Sequence, residues 1–135
     1  MVDVVYIDDP SVPDDAELWR WINPNWWVTD RNRGILRPSS QAFQNSKNGS
    51  PMSVLIAEVV MESGRKPIDV LPDGTYALVA FTAGIARKCN QAVIRNPCPD
   101  EYPDEEAHAL VAGKKTNRVK ETLALASRWV VEPRP

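Results

Sequence analysis

Leu18-Trp19-Arg20-Trp21-Ile22-Asn23-Pro24-Asn25-Trp26-Trp27 holds four of the five tryptophans of this 135-residue chain. Across Leu18–Ile22 the residues alternate. Leu18, Arg20 and Ile22 share one side and Trp19 and Trp21 the other, which is the period-two pattern of a strand. An indole is large and amphipathic, and its N–H needs a partner when buried. One face of such a strand must be core. Asn23-Pro24-Asn25 forces a turn. Beyond it, Trp26 and Trp27 are adjacent, so in extended chain they point opposite ways and at least one packs inward. The expectation is a mostly buried cluster with one or two indoles left to line a groove.

The remaining elements follow from similar local signals. The 12 prolines break the chain into short pieces. Val2–Ile7, rich in β-branched residues, reads as a strand or an ordered arm. Asp30–Gly34 is a charged loop. Ser50-Pro51 reads as a helix start, with Ser as N-cap and Pro at the first helical position. Met52, Leu55, Ile56, Val59 and Val60 then follow helical spacing, and Gly64 supplies the stop. Leu71-Pro72-Asp73-Gly74 is a turn, and Tyr76–Thr82 is an apolar run suited to a strand buried on both faces. Thr82 caps a short helix over Ala83–Cys89 that ends near Asn90. Gln91–Arg95 is a strand, Asn96–Glu106 a Pro-rich acidic loop, and Ala107–Ala112 a strand. Thr116 caps a helix running to about Ser127, and Trp129-Val130-Val131 closes the chain as a strand. Together these predict one α+β domain over residues 1–135, a central mixed β-sheet with two to three helices.

Composition narrows the function. A formal net charge of −2 and a pI near 5.4 argue against broad, unspecific nucleic-acid binding, though a local basic patch is compatible with them. The N-terminal residues lack a basic n-region and an apolar h-region, and the apolar runs are too short to span a bilayer. A cytoplasmic protein without membrane contact is therefore expected, with Cys89 and Cys98 as free thiols. Two cysteines and one histidine are too few for a structural zinc site, and no metal site is expected. No cofactor is indicated.

Three places carry candidate chemistry. His108-Ala-Leu-Val-Ala-Gly113-Lys114-Lys115-Thr116 reads as a strand, a basic turn and a helix start, where backbone N–H groups and lysines attract an anion. It departs from a phosphate-binding loop: His108 stands where the first glycine belongs, and Lys115 where Ser or Thr belongs. The plain alternative is a strand-to-helix turn with solvated lysines. His108, the sole histidine, suits general acid–base work or a structural role. Arg37-Pro38-Ser39-Ser40 offers a bidentate cation and paired hydroxyls, or else an edge salt bridge and turn caps. Arg20, between Trp19 and Trp21, stacks on an indole or projects into a pocket.

Arg20 on an early strand, followed by a segment bearing Ser39 and Ser40, resembles the Arg–Ser–Glu arrangement of ADP-ribosyltransferases over those few residues. The Glu-x-Glu or Gln-x-Glu signature of that family is absent, leaving Glu62 or Glu106 in the third place. A second expectation is an ADP-ribosyltransferase-like enzyme acting on a nucleotide or NAD, in which His108 and Arg20 are read from the residues as catalytic. The leading expectation is instead a small binding domain for a phosphate-bearing ligand, a nucleotide or RNA. Arg37, Ser39, Ser40, Lys114, Lys115 and Thr116 would contact the anion, and Trp19 and Trp21 would stack. A third reading is an accessory module with a protein partner, anchored by exposed Trp and Arg.

Overall fold

The tryptophan strand lies inside the main sheet. In a computed structural model, residues 6–47, 49–97 and 104–134 are described. Among the described residues eight strands run in chain order: β1 Glu17–Ile22, β2 Trp27–Asp30, β3 Ile35–Pro38, β4 Met52–Ile56, β5 Ala77–Thr82, β6 Ala92–Arg95, β7 His108–Ala112 and β8 Arg128–Val131. Three helices join them: α1 Ala57–Glu62, α2 Ala83–Lys88 and α3 Asn117–Ala126. Six strands form one sheet in the order β6-β7-β4-β1-β5-β8, and β2 and β3 form a separate hairpin. The domain is α+β, and the strand pairings among the described residues run antiparallel.

The alternation read from β1 divides the molecule. Leu18 and Ile22 enter a core with Met52, Val54, Val79, Phe81, Val93 and Val111, covered by Ala83 and Ala86 of α2 and by Leu123 and Ala124 of α3. Phe43 closes this covered face, edge-on to Phe81 at 6.0 Å. Trp19 lies on the other face with Leu55, Leu78 and Ala80, under Ala57 and Val60 of α1 and Val70 of a 3₁₀ turn at Pro67–Val70. Of the clustered indoles, Trp19 is buried at 2% and Trp21 is 40% exposed. Trp26 and Trp27 are both half-buried against the covered core.

Caps behave as the sequence suggests. Thr82 accepts from the Ile85 N–H at 3.3 Å to start α2, and Thr116 accepts from the Val119 N–H at 3.2 Å to start α3. Asn90, at φ 60°, turns the chain out of α2. Gly64, at φ 85°, ends α1.

The helix expected from Ser50-Pro51 is instead a strand followed by a short helix. Met52, Val54 and Ile56 face one core, and Leu55 faces the other. A strand buried on both faces is apolar nearly throughout, so its residues also match helical spacing. β-branched Val54 and Ile56, paired between β1 and β7, tip the segment to strand. The helix begins only at Ala57. The loop after Asp30 is the tip of the β2–β3 hairpin, where the Gly34 N–H donates to Asp30 O at 2.8 Å. Of the Val2–Ile7 segment, residues 2–5 lie outside the described residues, and Tyr6 and Ile7 are irregular rather than strand. Cys98 also lies outside them, as do residues 98–103 of the acidic loop, while Cys89 is a free thiol.

Leu18, fully buried, and Trp21, on the same strand, predict different mutational costs. Leu18→Ala should lower unfolding free energy by about 2–5 kcal/mol in urea titrations. Trp21→Ala should cost much less, because its ring is only partly removed from water.

Candidate functional site

Antiparallel register assembles the most distinctive polar group. Leu55 pairs with His108 and Ser53 with Leu110. Ser53 and His108 are therefore diagonal neighbours on one face, within side-chain reach. The His108 Nδ1 lies 2.8 Å from Asn96 O, and its Nε2 lies 3.1 Å from the Ser53 Oγ. A carbonyl oxygen only accepts, so Nδ1 carries the hydrogen. In the neutral ring Nε2 is then an acceptor, and the Ser53 hydroxyl donates to it.

This pair opens on a cavity of about 60 Å³ whose lining includes Trp19, Trp21 and Leu55. His108 is only 8% exposed. The helix α1 and the Pro67–Val70 turn cover one part of this sheet face, while Trp21, Ser53, Leu110 and Ile94 are left partly or largely exposed. Trp21 meets Tyr76 edge-on at 6.4 Å, and the Arg134 Nη2 donates to Tyr76 O at 3.3 Å. Buried Trp19 has an Nε1–H without a hydrogen-bond partner among the described residues. Leaving such a donor unpaired costs about 1–3 kcal/mol.

The two expected catalytic residues, Arg20 and His108, both border this cavity, but their side chains leave the sheet on opposite faces. By alternation Arg20 points to the covered side, where Nε donates to Ala42 O at 2.9 Å and Nη1 to Ser53 O at 2.9 Å. Its guanidinium lies 5.8 Å from the Trp26 ring centre. Ser53 thus joins the two: its carbonyl holds Arg20 on one side and its hydroxyl meets His108 on the other. No carboxylate pairs with Arg20 among the described residues, and burial pushes its pKa down to about 10. Ser53 was not among the sequence candidates, because the segment read as helix hides its place opposite β7.

The basic turn is internally occupied. Lys115 Nζ donates to Asn45 Oδ1 at 2.8 Å, Val111 O at 2.9 Å and Gly113 O at 3.1 Å, matching the three hydrogens of an ammonium. Burial, and then the charge of Arg20, lower its pKa to about 8. The Gln91 side chain fills the space beside Gly113, where a Cβ would lie 2.8 Å from it, and donates to Lys114 O at 3.0 Å. The Thr116 hydroxyl caps α3. The Lys114 side chain is exposed.

Arg37 sits on the hairpin, 3.8 Å from Asp30. The Ser39 Oγ accepts from the Gln41 N–H at 3.2 Å, capping a 3₁₀ turn at Ser40–Ala42. That turn presents to Arg20 the backbone carbonyl of Ala42, while the Ser39 hydroxyl is turned to the Gln41 N–H. Glu62 ends α1 on the opposite face of the sheet, and Glu106 lies in the exposed turn before β7. Trp19, Arg20, Trp21 and His108 border the pocket, while Arg37, Ser39, Ser40, Lys114, Lys115 and Thr116 are not part of its lining.

Among the described residues no cluster of His, Cys, Asp and Glu suits a metal ion, and no helix is long and apolar enough to cross a membrane. Comparison with protein-family models, with curated proteins and with solved structures gave no match.

Lys115 generates a pH prediction. Its folded pKa of about 8 lies below the ordinary 10.5, so the unfolded chain holds more protons between those values. The lysine therefore adds stability as pH rises through that window, and a penalty remains below it. In thermal or urea unfolding, wild type should gain stability relative to Lys115→Met between about pH 7.5 and pH 10.

Proposed function

We propose that this domain binds a small, ring-bearing ligand on the open sheet face, with a nucleotide or a single-stranded RNA base as the class that fits best. The reading is carried by one juxtaposition: the exposed Trp21 indole shares a pocket with the Ser53–His108 pair. A flat ring stacks on Trp21, and its polar edge meets Ser53 and His108. An aromatic platform on an open antiparallel sheet is sequence-tolerant and contributes about 1–3 kcal/mol per stacked base. A phosphate on the same ligand would turn toward Arg134, an exposed cation beside Tyr76. The basic turn supports this reading less than its sequence suggests, because Lys115 spends its hydrogens on Asn45 and on backbone carbonyls.

Isothermal titration calorimetry with nucleoside monophosphates and short RNAs tests the proposal. Wild type should bind a member of this set at low salt, and Trp21→Ala should weaken it about tenfold or more. Binding that Trp21→Ala and His108→Asn leave unchanged would place the ligand elsewhere, and no heat with any of these ligands would remove the reading.

A further inference from the structure

We propose that Ser53 is a nucleophile activated by His108, accepting a short acyl group from an ester in the same pocket. The inference rests on the reading that this pocket takes a ligand and adds a reaction to it. Its basis is geometric. An activated serine needs a base within hydrogen-bond reach, a third group that orients the base, and space beside the hydroxyl for a reacting atom. Ser53 Oγ stands 3.1 Å from His108 Nε2, Asn96 O holds the Nδ1–H at 2.8 Å, and the cavity of about 60 Å³ adjoins both. That volume, walled by Leu55 and the indoles, suits an acetyl or propionyl group rather than a long chain.

Asn96 O is a positioning group. By accepting from Nδ1 it keeps Nε2 free to take a proton, which is the orientation that base catalysis requires. A neutral carbonyl stabilises the charged ring less than a carboxylate does, so slow turnover is expected. Glu105 does not take that place: both its oxygens bind Arg65, at 2.5 and 2.9 Å.

In the reaction, Ser53 Oγ bonds to the acyl carbon while its proton passes to His108 Nε2. The ester C–O bond then breaks, and the leaving oxygen takes the proton from Nε2 to depart as an alcohol. Water repeats the sequence. It gives a proton to Nε2 and bonds to the acyl carbon, and Ser53 recovers the proton as the carboxylic acid leaves.

The test is reaction of the full chain with an alkyl fluorophosphonate, read by intact mass and peptide mapping. A single adduct at Ser53 is expected, with an Oγ–P bond formed and fluoride released as HF. Ser53→Ala should abolish it, and His108→Asn, with folding verified by its thermal transition, should slow it about 100-fold or more. No adduct on wild type, or an adduct that survives Ser53→Ala, overturns the proposal. Ligand binding by calorimetry without Ser53 labelling overturns the nucleophile alone. Labelling at Ser53 without nucleotide or RNA binding supports the nucleophile and removes that ligand class.

Discussion

Arg20 points from a central strand into the covered face, where a cation without a carboxylate must find other acceptors. It finds two carbonyls, of Ala42 and Ser53. The first belongs to the 3₁₀ turn that carries Phe43 into the core, so the guanidinium ties the long β3–β4 connection to the sheet. The second belongs to β4, next to β1, and fixes the backbone of the residue whose hydroxyl emerges on the opposite face. Burial without a charged partner is costly, and truncating such a group leaves its acceptors unpaired. One side chain therefore links the packing of the covered face to the position of Ser53 on the open one.

The same strand determines why the two faces differ. Leu18 and Ile22 are small enough to interdigitate with α2 and α3, whereas Trp19 and Trp21 extend from the other side. Trp19 is covered by α1 and the Pro67–Val70 turn, and Trp21 lies beyond that cover. The open half of the sheet face, with an indole at one end and a hydrogen-bonded Ser–His pair beside it, is what remains. The tryptophan run is thus mostly structural, and one member, Trp21, stands at the edge of the open face.

Much of the fold was legible because its signals are local. Alternation at Leu18–Ile22, the continuous apolar run to Thr82, and the hydroxyl caps Thr82 and Thr116 depend on neighbours within a few residues. The segment Met52–Ile56 was not legible, because burial on both faces makes a strand resemble a helix in apolar spacing. That one ambiguity also concealed the Ser53–His108 pair. Ser53 acquires meaning only when β4 pairs with β7 and sets it diagonal to His108, and Asn96 only when the chain before β7 folds back. Lys115 shows the opposite case: its type and place suggest an anion contact, but its hydrogens turn inward to carbonyls that only the folded loop brings near.

The central claim is that Asn96 O fixes His108 with hydrogen on Nδ1, leaving Nε2 to accept from Ser53. The chain has a single histidine, so its ring nitrogens can be assigned without ambiguity by ¹⁵N nuclear magnetic resonance. The neutral form of the ring is expected to carry its hydrogen on Nδ1, with an Nε2 resonance that moves in Ser53→Ala while Nδ1 stays. A ring protonated on Nε2 in its neutral form, or an Nε2 resonance indifferent to Ser53→Ala, would contradict it.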